Sequence, residues 1–241
     1  MKSLRWRVLL PALLAVSSWA EVRILAADIT PFAYSEDGVA KGAACDLVRE
    51  MAKRVGHSGK IEVVPLARAL ETAKHVPNVL IVPIARTPSR EASYTWITHL
   101  WDERFLLLAR DDAKADISNV AAARNLSVGV MRSSAGVKLA EEAGFTKVEE
   151  AVNEEVNARK LLVGRMEVWL SSVNAVTSAL HKTGISQDRV RRGAVLQTFK
   201  IHLAGSLGLE PAEVAKWAAA LEAIKKDGTY DRIMTHYQYE P

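Results

Sequence analysis

Short apolar runs along the chain alternate with longer stretches in which apolar residues recur at helical spacing. Val22-Arg-Ile-Leu-Ala-Ala27 reads as a buried strand. From Ala44 onward Leu47, Val48, Met51, Ala52 and Val55 share one helical face, and Gly56 stands in the usual C-cap position. Ile61–Val64 is a second strand, Pro65 opens a short helix carrying Ala67, Leu70 and Ala73, and Val79–Val82 is a third strand. Residues 86–104 interrupt the pattern with a polar, aromatic stretch, after which Phe105–Ala109 is again a strand.

A second series begins at Leu126. It reads as strand 127–131, helix from about Ala135 to Ala143 stopped by Gly144, strand 147–150, and a helix capped by Asn153. Val168–Leu170 is a short strand, Asn174–His181 a helix, and Ala194–Ala204 a further strand region. The tail is helical, with Val214, Trp217, Ala218, Leu221 and Ile224 on one stripe and a shorter stripe after Gly228. The β-α-β-α-β order in each series predicts an α/β fold with mostly parallel sheets, and the similar size of the two series predicts two lobes.

The first twenty residues change the charge argument. Lys2, Arg5 and Arg7 precede an apolar run, Val8–Val16, and Ser18-Trp19-Ala20 puts small residues where a signal peptidase reads. The run is much shorter than the roughly 20 residues a bilayer span needs. We therefore expect a cleaved signal peptide at 1–20 and export to the periplasm. The whole chain carries a formal charge of +4 from 32 basic and 28 acidic residues; without the signal it has 29 against 28. A nearly neutral mature chain has no global electrostatic case for binding nucleic acid or anionic lipid. Cys45 is the only cysteine and cannot form an internal disulfide; it reads as a small apolar residue at a helix start.

Phosphate-cradling loops, dinucleotide fingerprints, HExxH and GxSxG are all absent, and the six histidines show no i, i+4 pair, so neither a metal nor a cofactor is expected. The acidic pairs Glu149/Glu150 and Glu154/Glu155 read as solvated charges. The informative segment is Ile84–Glu91, which follows directly from a strand. In open α/β sheets ligands sit beyond the carboxyl ends of strands, so Arg86, Thr87 and Arg90 are delivered to a site-forming position. A guanidinium suits a carboxylate because its planar fork donates two parallel hydrogen bonds. Spacing alone does not separate this reading from ordinary exposed charges. Arg132–Gly136 is a second candidate: Ser134 and Ala135 open a helix whose N-terminus favours an anion, and Ser134 also fits as a plain N-cap.

These residues carry a resemblance. Pro31-Phe32-Ala-Tyr34, Asp37-Gly38, Gly42–Val48, Ala85–Glu91, Val128–Ser134, Leu162–Glu167 and Asp227–Tyr230 stand in the order and spacing of the family 3 periplasmic solute-binding proteins, the receptors of polar amino acid ABC transporters. The resemblance covers nearly all of residues 21–240. It implies a type II periplasmic binding fold with a ligand cleft between the lobes, lobe 1 being 21–108 plus 205–241 and lobe 2 being 109–204. It puts the crossings near Leu107–Asp111 and Phe199–Leu203, with hinge closure around the solute as the working cycle. The arginine matching Arg90 would hold the ligand's carboxylate, and the turn at Ser134 and Ala135 would donate to the same group.

At Ser172 the chain departs from the family, which places there an aspartate for the ligand's α-ammonium. A hydroxyl cannot neutralise that charge, so a carboxylate-bearing solute without a free α-amine fits the retained half of the site. The position that often stacks an aromatic ring on the ligand falls at Leu66 or Ile29, and Trp96 or Trp169 would supply an apolar wall or belong to the core. The expected function is capture of a small carboxylate-bearing solute, an amino acid or related organic acid, by a monomer that passes it to a membrane permease or a sensor. The alternative is a periplasmic enzyme on the same scaffold, such as a dehydratase of a cyclic carboxylic acid, for which Glu167 and Glu91 are the available acids.

Overall fold

The computed structural model describes residues 21–240; the expected signal peptide at 1–20 lies outside the described residues. The first series comprises β1 (Arg23–Ala27), a hairpin of β2 (Tyr34–Glu36) and β3 (Val39–Lys41), α1 (Ala43–Val55), β4 (Ile61–Val64), α2 (Leu66–His75) and β5 (Val79–Ala85). A 3-10 turn, Pro88–Ser93, leads into the long strand β6 (Thr95–Arg110). The second series is α3 (Val120–Ala123), β7 (Ser127–Met131), α4 (Ala135–Glu142), β8 (Lys147–Ala151), α5 (Glu154–Leu162), β9 (Val168–Ser172) and α6 (Val173–Thr183). The equally long β10 (Val190–Gly205) returns to the first series, and α7 (Pro211–Lys226) and α8 (Thr229–His236) close the chain.

One eight-stranded curled sheet runs through the molecule in the order β4-β1-β5-β10-β6-β9-β7-β8. On one side β1 pairs in parallel with β4 and β5; on the other β7 pairs in parallel with β8 and β9. The antiparallel pair β6/β10 is common to both halves. β10 pairs with β5 from Ile201 to Gly205, and β9 joins β6 at Phe105–Leu108. Ile201 faces Trp101 and Gln197 faces Phe105. The sheet therefore changes hands over 101–105 of β6, ahead of Leu107–Asp111, and over 197–201 of β10, which overlaps Phe199–Leu203. This is the two-lobe, type II architecture, an α/β fold with a cleft where the lobes face each other.

The parallel strands are apolar runs because both of their faces are covered: β5, β7 and β9 bury nearly every residue. In the first lobe α1 and α7 pack on this sheet, with Leu47, Met51 and Trp217 fully buried. Trp169 fills the core of the second. Two expectations needed correction. Residues 95–104 belong to β6, and β10 starts at Val190, because four register shifts along the β6/β10 pair change which residues face inward and erase the period-2 pattern. The β2/β3 hairpin was not anticipated either; its strands have three residues each, too few to show alternation. Cys45 is buried in α1, and burial pushes its thiol up to about 12, so it acts as a small apolar side chain. No helix among the described residues is long and apolar enough to cross a membrane.

Candidate functional site

The carboxyl ends of the parallel strands of both lobes point at one cleft. β1 delivers Ile29, β4 Leu66, β5 Ile84 and Ala85, β7 Met131, β8 Glu154, and β9 Ser171 and Ser172. These residues, with Phe32, Trp101, Glu103 and Phe105, enclose a cavity of about 60 Å³. An outer groove of about 510 Å³ shares Ile29, Leu66, Met131 and Glu154 with it. The N-termini of α4, α5 and α6 meet at the same place, because each of those helices follows directly from a strand end. Side-chain caps hold them: Ser134 accepts from Gly136 N at 3.1 Å, Asn153 from Val156 N at 3.0 Å, and Ser172 from Ala175 N at 3.4 Å. Three helix N-termini converging on one cavity make it electropositive before any side-chain charge is counted.

Arg90 lines this cavity from the 3-10 turn after β5. Its Nη1 donates to Ala85 O at 3.1 Å and its Nη2 reaches across the cleft to Ser133 O at 2.7 Å. Among the described residues no carboxylate lies within ion-pair distance of it. Burial pulls its pKa below the usual guanidinium value. Neutral carbonyls orient the fork without neutralising its charge. Ser134 and Ala135 stand on the opposite wall of the same cavity.

Two carboxyl groups also face in, and neither was identified from the sequence. Glu103, on β6, is 2% exposed. It accepts from Asn174 Nδ2 at 3.0 Å, Asn174 N at 3.4 Å and Trp101 Nε1 at 3.2 Å. Burial outweighs those donors and pushes its pKa up to about 7. Glu154 corrects the expectation of a solvated Glu154/Glu155 pair. It is buried at the first turn of α5, where its oxygens accept from Ser171 Oγ at 2.5 Å, Trp169 Nε1 at 2.8 Å and Asn157 Nδ2 at 2.9 Å. Burial raises its pKa too. The signal for Glu103 was present in the sequence: Trp101, Glu103 and Phe105 alternate at period 2, which puts an acid between two aromatics on one strand face.

The other predicted residues scatter. Ser172 is buried in the cavity wall and caps α6. Ile29 and Leu66 line the cavity, while its aromatic wall is Phe32, Trp101 and Phe105, with Phe32 and Trp101 stacked at 5.2 Å. Arg86 lies outside the cavity, exposed, paired with Glu91 and set over the Trp96 ring at 5.3 Å. Thr87 is buried beside Ser89, not in the cavity wall. Trp169 is core, and its indole supports Glu154 from behind. Glu167 bonds Ser127 on the far side of the second lobe. At the mouth of the groove Lys182 of α6 donates to Thr30 Oγ1 at 2.7 Å, lies 3.5 Å from Glu155 and rests 4.8 Å from the centre of the Tyr34 ring.

Residues 23–240 match the model of the bacterial extracellular solute-binding proteins, family 3. No curated protein sequence matches the chain. Among solved structures it is similar to ArtJ, an arginine-, lysine- and histidine-binding protein from Geobacillus stearothermophilus, with 16% identity, a TM-score of 0.78 and 92% of this chain and 97% of that one covered. It is also similar to EhuB in complex with hydroxyectoine, with 19% identity, a TM-score of 0.80 and 91% and 88% covered. A histidine kinase sensor domain with similarity to periplasmic binding proteins gives 15% identity, a TM-score of 0.82 and 92% and 98% covered.

Proposed function

The chain belongs to the bacterial extracellular solute-binding proteins, family 3, and within that family we propose that it is a periplasmic receptor that closes around a small carboxylate-bearing solute and hands it to a permease or a sensor. One observation carries the reading: the half-buried Arg90 guanidinium lines an interlobe cavity, with no carboxylate among the described residues within ion-pair distance, facing the helix N-terminus at Ser134 and Ala135. The bound proteins ArtJ and EhuB support a solute of amino-acid size, and the kinase sensor domain supports sensing beside import. Export is supported by the signal-like order of residues 1–20. In this reading lobe 1 is 21–108 plus 205–241, lobe 2 is 109–204, and the hinge is the window where β6 and β10 change partners. Arg90 contacts Ser133 across the cleft, so closure completes the anion site from both sides.

The test is a thermal-shift screen of residues 21–241 against amino acids and small organic acids. A ligand at 100 times its Kd stabilises the folded state by about 2.7 kcal/mol. For a chain of this size that is a shift of about 5–10 °C. Arg90→Ala abolishes the shift for every carboxylate hit; a shift that survives the substitution sinks the assignment. A second reading, an enzyme such as a dehydratase on this scaffold, is favoured by the presence of an acid with a pKa of about 7 in the cavity, Glu103, placed to give a proton at neutral pH. Mass spectrometry of the hit after incubation decides it: an unchanged compound leaves the receptor, and a dehydrated product establishes the enzyme.

A further inference from the structure

Besides the two crossing strands, the C-terminal residues connect the lobes, by non-covalent contacts alone. α8 is fixed to the first lobe: Ile233 and Met234 are buried, Tyr230 OH donates to Leu100 O at 2.7 Å, and the following Tyr237 OH donates to Asp46 Oδ2 of α1 at 2.7 Å. The next residues leave it. Tyr239 OH donates to Asp102 O on β6, and its ring lies edge-on to Trp101 with centres 6.3 Å apart. Glu240 N then donates to Asn174 Oδ1 at 2.8 Å, and Glu240 O accepts from Asn174 Nδ2 at 3.0 Å, so one side-chain amide at the start of α6 pairs with both backbone groups of Glu240. The Glu240 carboxylate accepts two hydrogen bonds from Arg192 at 2.9 and 3.1 Å and one from Arg104 at 2.9 Å. Arg192 stands opposite Leu108, past the window where the sheet changes hands, and α6 follows β9 of the second lobe. One segment is thus held to α1 at Tyr237 and to α6 and β10 at Glu240. Three residues span at most about 11 Å, which leaves it little slack.

We infer that Tyr239 and Glu240 form a releasable clasp that holds the lobes shut, and that parting them requires Glu240 to leave Asn174 and Arg192. This rests on the hinge reading above and adds a latch to it. The structure has the lobes in contact, at Arg90 and Ser133 and at Lys182 and Thr30. Parting them carries α6 and the second-lobe half of β10 away from α1 and α8. The crossing strands are covalent and bend; the clasp is not, and it lets go. Contacts made only in the shut form bias the equilibrium by as much as they contribute. Two net hydrogen bonds to Asn174 correspond to about tenfold to a hundredfold in the ratio of open to shut. The carboxylate contacts add to this in a salt-dependent way, because Glu240, Arg104 and Arg192 are each more than a third exposed.

The experiment reads the distance between the lobes by pulsed electron spin resonance on residues 21–241 with no solute added. Spin labels sit at Val39→Cys in the first lobe and Val163→Cys in the second, both exposed positions. Cys45 is buried with its thiol pushed up to about 12, so the label enters only at the introduced cysteines. Against this labelled parent, a variant ending at Gln238 is expected to raise the ratio of long to short distances by about tenfold or more. Arg192→Gln keeps the Asn174 bonds and is expected to give a smaller rise. In the parent itself, moving from 50 mM to 1 M salt raises the ratio by about twofold or more, and in the truncated variant it does not. The salt response and Arg192→Gln hold the test open even where the truncated variant folds poorly. Distances that match between the parent and both variants overturn the inference, also where thermal stability falls, because a merely structural tail lowers stability without parting the lobes. The receptor reading is decided separately, by the thermal-shift screen with Arg90→Ala.

Discussion

Glu103 gives the most direct test of the electrostatics, because its effect is read on the empty protein. The carboxyl is buried and its pKa is raised from 4.5 to about 7. Between those values the folded state keeps a proton that the unfolded chain releases, so stability falls as pH rises through the window. At 1.36 kcal/mol per pKa unit, the total change from this one group is about 3 kcal/mol. Glu154 adds a slope of the same sign, so the pH profile of the wild type alone does not isolate Glu103. The difference between wild type and Glu103→Gln does. Glutamine is the neutral isostere of the protonated acid, but its NH2 carries two donors and must face the donors of Asn174 or Trp101, which costs about 1–3 kcal/mol at every pH. What changes with pH is therefore the gap. From pH 4 to pH 8 the variant gains about 3 kcal/mol relative to wild type, or roughly 6–12 °C in Tm for a chain of this length. Urea titrations at five pH values measure it. A gap that stays flat across that range would show Glu103 ionising like an exposed glutamate, and the argument from burial would be wrong.

Two further outcomes follow from backbone geometry and from the cleft mouth. Gly42 sits at φ +111° before α1, and a Cβ there would meet Phe32 O at 2.4 Å, so Gly42→Ala destabilises by more than about 2 kcal/mol in urea unfolding. Gly56→Ala, with φ +72° and open space around it, costs only about 1 kcal/mol; equal effects at the two sites refute the steric account. Lys182→Ala removes the bridge to Thr30 across the cleft, and because the lysine is exposed, stability changes by less than about 0.5 kcal/mol. Its effect appears in ligand release, which stopped-flow measurement shows accelerated several-fold; an unchanged release rate removes the mouth contact from the closing mechanism.

The strands that are buried on both faces were legible because burial itself writes the pattern: Val79–Val82 and Val168–Leu170 are continuous apolar runs within β5 and β9. The caps at Ser134 and Asn153 were legible because capping is local in sequence. Arg90 was legible as a candidate, singled out by the family resemblance, though spacing alone did not separate it from Arg86, since both follow the same strand. What separates them is the 3-10 turn, which leaves Arg86 outside with Glu91 and folds Arg90 under toward Ser133, 43 residues away. Glu154 was misread for a related reason. An acidic pair at a helix start is what solvent and the helix dipole both favour, and its burial is decided by Trp169 and Ser171 on another strand. Local patterns report the element; the surroundings of a side chain on it are set by partners distant in the chain.

The placement of Glu103 ties the cavity wall to the strand pair common to both lobes. It lies inside the stretch of β6 where the sheet passes from one lobe to the other, and Asn174 holds it from the second lobe. The same Asn174 amide donates to Glu240 O and accepts from Glu240 N at 2.8 Å, while Tyr239 OH donates to Asp102 O on the crossing strand. Glu240 also pairs with Arg104 on β6 and Arg192 on β10. The C-terminal residues thus tie β6, β10 and the start of α6 together beside Glu103.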